Sequence, residues 1–357
     1  MLEKNFEFYY NIYTANGNRK IAEMKIVRIS AKQKVEIVEV PIPPAKKRFV
    51  LVKIHSIPMC TEYKDYYRGR MSNPFGHEAA GEVVDIEESD KVKIGDRVIP
   101  MFFLPCGRCN LCLNGDYIYC NHQLDFFEET GSKLGESTYA EFMLKPDWLL
   151  LPIPNNLTYD HASLACCGLG PTFGAMKRLS IEAGDTVLIT GLGPVGLGGI
   201  INARYRGANV IGVEKVPYRR QLAKQLGASI VDGNNRVLNH IMEITHGSGV
   251  DYAIECTGVP KLQRFALDSL RIKGEAAFIG WGGKPSIDIA NVVIKKGLTL
   301  HGVWHWNMSF ASEIMDLITQ SSDLLDLLIT HTFPLNQVEK AFTTQLSGEC
   351  GKIILHP

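Results

Sequence analysis

Gly191-Leu192-Gly193-Pro194-Val195-Gly196 follows the apolar run Thr186–Thr190 and precedes a helix-compatible stretch. A lone G-x-G-x-x-G is a weak signal. Set between a strand and a helix, its glycines stand where backbone must approach a pyrophosphate at a helix N-terminus. Gly191, Gly193, Pro194, Val195 and Gly196 are therefore candidate dinucleotide contacts. The next strand-like run, Asn209–Val213, ends at Glu214. An acidic residue there accepts the ribose hydroxyls of NAD and repels a 2′-phosphate. Lys215, Arg219 and Arg220 follow, as solvated helix charges or as groups that tolerate NADP. NAD is the expected dinucleotide, and NADP the alternative.

Outward from this loop the texture is α/β. Strand-like Thr186–Thr190, Asn209–Val213, Asp251–Glu255, Glu275–Ile279 and Thr299–Val303 alternate with stretches that suit helices, Val216–Leu226, Pro260–Leu270 and Met308–Thr319. That alternation predicts a doubly wound parallel sheet with crossover helices, a Rossmann domain. Before about residue 150 the pattern changes to short β-like runs broken by turns, such as Lys25–Ser30, Val35–Val40, Val50–His55 and Gly81–Ile86. The tail, Val338 to Leu355, returns to a helix and a short β run.

Bulk properties exclude several classes. The 357 residues allow two domains, and 45% hydrophobic with 21% charged residues is the composition of a soluble globular chain. Lys+Arg and Asp+Glu both number 38, so no net field steers nucleic acid or a membrane surface toward the chain. The uncharged stretch Thr186–Ala203 is long enough to span a bilayer, but its glycines and Pro194 read as strand, turn and helix start. Met1 to Ala22 has no apolar core and no small-residue cleavage site, so it is not a secretory signal. It reads as a loosely ordered extension or an edge segment. Nine cysteines without such a signal suggest a reducing, cytoplasmic setting, where clustered thiols ligate metals more often than they form disulfides.

Cys106, Cys109, Cys112 and Cys120 form C-x2-C-x2-C-x7-C. Four thiolates from one short loop close a tetrahedral zinc shell with no open position. Such a shell does no chemistry and stabilises a loop too short for its own core. Gly107 and Gly115 relieve the tight path. A bacterial ferredoxin-type cluster has a shorter last gap and a proline after the final cysteine, whereas Asn121 follows here.

Cys60 in Met59-Cys60-Thr61-Glu62, His77 in Gly76-His77-Glu78, and the pair Cys166-Cys167 are further metal-capable positions, each with an ordinary buried reading when taken singly. With Gly95-Asp96-Arg97-Val98, the four-cysteine run, Gly191 to Gly196 and the closing Gly351-Lys352-Ile353-Ile354-Leu355, the chain from about Met24 onward resembles the zinc-dependent alcohol dehydrogenases of the medium-chain dehydrogenase/reductase superfamily. The resemblance implies a β-rich GroES-like catalytic domain over residues 1–170 and 308–357, with residues 1–23 as an extra segment, and a Rossmann domain over 171–307. It implies a second, catalytic zinc on Cys60, His77 and Cys167, with Cys167 chosen over Cys166 for its Cys-Gly step. Glu78 resembles a carboxylate beside that metal that approaches it when water leaves. Three ligands leave zinc one open position for a substrate oxygen. The expected activity is hydride transfer between NAD(H) and a small-molecule secondary alcohol or ketone, a polyol, cyclitol or sugar derivative, by a homodimer or homotetramer that binds no nucleic acid and no membrane.

The chain departs from that family where a proton leaves the site. Glu62 stands where Ser or Thr is usual, Tyr63 where Asp is usual, and Asp65 where His is common. Glu62 is expected to be the proton acceptor or a labile fourth ligand, with the Thr61 hydroxyl as the alternative. Trp304-His305-Trp306 could stack on a cyclic substrate or pack an interface, and Phe102 and Phe126 are weaker pocket candidates. Two rival functions remain: a zinc-independent double-bond reductase of the same fold, against which Cys60, His77 and Cys167 argue, and a dinucleotide-binding protein without turnover.

Overall fold

The computed structural model describes residues 11–13, 19–71, 75–232 and 236–357. The expectation for the first 22 residues falls mostly outside that set. The chain divides into two compact units, one of residues 1–166, 332–346 and 353–357, the other of residues 167–331 and 347–352.

The second unit holds a six-stranded sheet in the order Ser229–Asp232, Asn209–Glu214, Thr186–Thr190, Val250–Glu255, Leu270–Phe278, Thr299–Gly302. Every adjacent pair is parallel. Numbered within the unit this is 3-2-1-4-5-6, the doubly wound dinucleotide-binding order, whose switch point lies beside Thr186–Thr190. Leu188, Val213, Ala253, Leu267 and Ala276 belong to one buried cluster. At about 1.5–3 kcal/mol for each large aliphatic side chain, a core of this kind is the main favourable term in the unit. The uncharged stretch that could have passed for a membrane span is the strand Thr186–Thr190 and the helix Pro194–Tyr205. Among the described residues no helix is long and apolar enough to cross a membrane.

The division differs from the expected one at three points, one being that residues 347–352 fall in the second unit. The second unit begins at Cys167 rather than 171, because Leu169 is fully buried and the carbonyl of Gly168 lies where a side chain on Gly198 would go, 2.0 Å from its Cβ position. It also runs past 307, since the helices Ala311–Gln320 and Ser322–Leu328 pack on the helix Pro194–Tyr205. Ile314, Leu317, Ile318, Leu325 and Leu328 on those helices are fully buried. Burial of that apolar face outweighs any chain-order boundary.

The first unit is β-rich. Its central strand, Phe49–Pro58, is buried along most of its length and pairs antiparallel with Ala80–Asp85 on one side and Phe142–Pro146 on the other. Arg97–Pro100 and Leu150–Pro152 extend the sheet, and Ile354 and Leu355 of the tail pair with Pro58 and Ile57. A hairpin of Glu23–Ala31 and Lys34–Pro41 lies beside it in sequence. Phe49, Leu51, Leu104, Phe126, Phe142 and Leu144 form the core. Phe126 meets Phe49 edge-to-face at 5.8 Å, so it serves that core rather than a pocket wall near His77.

Candidate active site

The glycine loop does two different jobs. Gly191 has φ +80°, and a Cβ there would lie 2.2 Å from Thr257. A Cβ on Gly196 would lie 2.1 Å from the Gly191 carbonyl. Those two are demanded by the chain's own packing. Gly193 is not: its backbone is in an ordinary extended conformation, and an added Cβ would meet only Arg219 Nη1 at 3.9 Å. An open face on a glycine that caps a twelve-residue helix, with Pro194 at its first turn and a guanidinium beside it, fits a pyrophosphate. Glu214 ends the neighbouring strand. Its Oε2 accepts from Leu192 N at 2.8 Å, and its Oε1 from Lys215 N and Val216 N at 2.8 and 2.9 Å. The carboxylate thus braces the loop and keeps its negative charge at the edge of the cradle. Arg220 is held by Asp232 and by the carbonyls of Glu214 and Lys215, and Lys215 is exposed.

The four-cysteine lobe brings its sulfurs to 3.5 Å (Cys109–Cys112), 3.6 Å (Cys120–Cys106), 3.8 Å (Cys109–Cys120) and 4.0 Å (Cys106–Cys112). Tetrahedral Zn–S bonds of about 2.3 Å put sulfurs about 3.8 Å apart, so the donor set fits zinc. Burial raises the Cys106 thiol, but the backbone amides of Arg108 and Cys109 outweigh it and bring it down to about 6. Gly107 and Gly115 both have positive φ, as the tight path requires. Of the lobe's own apolar residues Tyr117 and Ile118 are buried, while Leu113 is 71% exposed. Two such side chains contribute about 3–6 kcal/mol. Ordering the loop costs about 1–2 kcal/mol per residue. The deficit is what a closed metal shell supplies.

A second cluster comprises Cys60, His77, Glu78 and Cys167, whose ligand atoms lie within 4.8 Å of one another. Cys60 follows the strand Phe49–Pro58, and His77 and Glu78 precede Ala80–Asp85. Strand pairing therefore sets the first three, while Cys167 is the residue next to Cys166, where the first unit's long segment ends. Soft sulfur, an imidazole and a buried carboxylate are the donor types zinc takes. Cys166 is buried and is not among the converging atoms.

Glu62 is 5% exposed and lies outside the converging set, yet it touches two members. Its Oε2 accepts from Cys60 N at 2.9 Å, and its Oε1 is 2.7 Å from His77 Nδ1. Burial alone would lower the His77 imidazole, but Glu62 and then Cys60 outweigh it and hold it well above its ordinary value. Metal binding there must displace a proton. Thr61 is exposed at the start of the helix Glu62–Arg68.

A cavity of about 370 Å³ within the first unit is lined by Thr61, Glu62, His77 and Phe102, and also by Glu136, Thr138 and Lys145. Phe102 stacks toward His77, with ring centroids 4.7 Å apart. Several residues here are absent from the sequence-based expectations. Gln345 donates to Cys60 O at 2.7 Å. Tyr139 is fully buried, and burial followed by the charges of Glu62, Glu78 and Cys60 raises its phenol well above the ordinary value. Lys145 is 7% exposed in the run Phe142–Pro146. A lone charge in an apolar strand was the available signal for Lys145; Gln345 and Tyr139 carried none. Trp306 is buried and packs edge-to-face on Phe173 at 6.2 Å, so it is core of the second unit rather than a stacking platform. Trp304 packs against Trp281 at 5.3 Å.

Comparison with known proteins agrees with this geometry. Residues 46–155 match the family model described as "Alcohol dehydrogenase GroES-like domain", and residues 194–320 match "Zinc-binding dehydrogenase". The L-threonine 3-dehydrogenase of Pyrococcus furiosus is 32% identical over 92% of this chain and 97% of its own. That of Bacillus subtilis is also 32% identical, over 90% and 94%. Among solved structures, the 2R,3R-butanediol dehydrogenase of Bacillus subtilis superposes with a TM-score of 0.81 at 26% identity, covering 94% of this chain and 99% of that one.

Proposed function

The chain belongs to the zinc-dependent alcohol dehydrogenases of the medium-chain dehydrogenase/reductase superfamily, and from that premise we propose that it interconverts a secondary alcohol and its ketone with NAD(H). The observation that carries this reading is the convergence of Cys60, His77, Glu78 and Cys167 within 4.8 Å. Cys60, His77 and Cys167 would hold a catalytic zinc, and Cys106, Cys109, Cys112 and Cys120 a structural one. Zinc supplies a Lewis acid for the substrate oxygen, and NAD a hydride acceptor.

The residues have distinct tasks. The Glu62 carboxylate holds His77 at Nδ1, leaving Nε2 as the ligand atom, the arrangement in which a carboxylate fixes a metal-binding imidazole. With Oε2 bonded to Cys60 N and Oε1 2.7 Å from His77 Nδ1, Glu62 is better suited to that orienting task than to serving as a labile fourth ligand, and it remains beside the site as a proton acceptor. Glu78, 1% exposed, is the carboxylate that can approach the metal. Gln345 fixes the Cys60 backbone. Gly191, Gly193, Pro194, Val195 and Gly196 would cradle the pyrophosphate, Arg219 would face it, and Glu214 would disfavour a 2′-phosphate. Relatives named for threonine and butanediol oxidation support a small, polar secondary alcohol as substrate. A homodimer or homotetramer is part of the same reading.

Metal analysis with a dehydrogenase screen tests it. Two zincs per chain and NAD-linked oxidation of a secondary alcohol are expected. One zinc, held by the four-cysteine lobe alone, would support the double-bond reductase. Two zincs and NAD binding without turnover on a broad panel would support the non-catalytic reading.

A further inference from the structure

The cavity beside His77 contains a lysine that no carboxylate contacts as an ion pair among the described residues. Lys145 places an ammonium there from a buried strand, and that ammonium donates to Phe103 O at 2.6 Å. Among the described residues this is its one hydrogen bond, and it forms no ion pair. The half-buried Glu136 lines the same cavity and, among the described residues, makes neither a hydrogen bond nor an ion pair. Thr138, 3% exposed, has a buried hydroxyl without a hydrogen-bond partner among the described residues. Three polar groups are thus left wanting partners in one space of about 370 Å³. Buried polar groups are normally satisfied, and a buried ammonium whose counter-charge acts only at a distance, as Glu136 does here, is costly. A packed apolar wall would have needed none of them.

We propose that Lys145 is a specificity residue that binds an oxyanion on the substrate, so that the preferred substrate is a small secondary alcohol bearing a carboxylate or phosphate. This rests on the dehydrogenase reading of the same site. The ammonium keeps two N–H donors for the oxyanion, and charge-assisted bonds of that kind are about twice as strong as neutral ones. Thr138 offers a hydroxyl that can donate or accept. Glu136, unpaired with Lys145, is left to accept from a second hydroxyl or an ammonium on the ligand. His77 and Glu62 line the same cavity, so the anion and the reacting carbinol share it. Glu62, Asp65, Thr61 and Gln123 line the cavity too, so Lys145 is the one lysine or arginine in a polar lining, a pattern that does not suit a hydrocarbon alcohol.

Matched substrates test this on the zinc-loaded enzyme with saturating NAD: 2,3-butanediol against 3-hydroxybutanoate, and sorbitol against gluconate and sorbitol 6-phosphate. In at least one set the anionic member should show kcat/KM about 10-fold or more above the neutral one. The carboxylate and phosphate arms identify the anion. In Lys145→Met that advantage should vanish while rates on the neutral member stay within about twofold, and Thr138→Val should weaken the anionic substrate by a smaller factor. Thermal melting of each variant checks folding, and melting of the wild type with 3-hydroxybutanoate, gluconate or sorbitol 6-phosphate reads anion binding without turnover. Preference for the neutral members, or an anionic advantage that survives Lys145→Met, overturns the proposal. Anions that stabilise the wild type and not Lys145→Met, with no alcohol oxidised, would sustain the site and sink the dehydrogenase reading. Neutral alcohols oxidised with no response to the anions would do the reverse.

Discussion

One methyl group distinguishes two kinds of glycine in the Gly191–Gly196 loop. Gly196→Ala drives a Cβ to 2.1 Å from the Gly191 carbonyl and should lower stability by about 2 kcal/mol or more, read as a drop in melting temperature. Gly193→Ala meets only Arg219 at 3.9 Å and should change stability by less than about 0.5 kcal/mol. Its cost should appear in titration with NADH, as affinity weakened about 10-fold or more, because the methyl fills the cradle. Glu62→Gln keeps shape and removes the charge facing His77 Nδ1. Loss of such a metal-orienting partner costs about 10–100-fold in metal affinity. The catalytic zinc should therefore exchange with chelator faster, with the four-cysteine zinc unaffected; full retention of both zincs and loss of turnover alone would favour a purely proton-accepting role. For Lys145, burial lowers the ammonium to about 8, with Glu136 and Cys166 opposing. A lysine depressed in the folded state costs stability in full below that value, and the cost fades as pH rises toward the ordinary value of about 10.4. Lys145→Met should accordingly raise stability by about 2–4 kcal/mol near pH 7, and by much less near pH 10.

At the level of elements, the lobe from Cys106 to Cys120 stands apart because four converging thiols accompany only two buried apolar side chains. Its short helix Asn110–Leu113 buries no side chain, and only Tyr117 and Ile118 of the following turn are buried. Cys112→Ser should remove one zinc per chain and lower the melting temperature by about 5 °C or more, in metal analysis and calorimetry run together. Turnover at low temperature should survive in part, since no lobe cysteine is among the four groups converging at the second cluster. The strand Phe49–Pro58 has the opposite character. Its pairing with Ala80–Asp85 carries Cys60 toward His77 and Glu78, so its many backbone bonds, and not any single contact, set the ligand geometry.

For the whole molecule, the two units carry separate halves of the proposed chemistry, the parallel sheet the glycine loop and the β-rich unit most of the metal-capable residues and the cavity. Much of this was legible in the chain because it is local. The strand Thr186–Thr190, the glycine loop, Glu214 and the thiol spacing of the lobe act over a few residues, where periodicity and spacing carry the physics. That the sheet is parallel also followed from the alternation of strands and helices, while its strand order came from the fold. Other features depend on which distant segments meet. The helices Ala311–Gln320 and Ser322–Leu328 lie in the second unit because of the faces they bury. Trp306 and Phe126 became core residues for the same reason. Glu62 looked like a proton relay by its position after Cys60, and only the fold set its carboxylate against His77 Nδ1. Lys145 shows only as a lone charge in an apolar strand, Glu136 and Thr138 carry no signal, and only the fold brings the three to one cavity. The sequence by itself determined the fold class, the dinucleotide loop and the four-cysteine lobe, since each is written in short-range spacing. Tertiary structure decided what Glu62 touches and which groups line the cavity, since burial and long-range convergence depend on segments far apart in the chain.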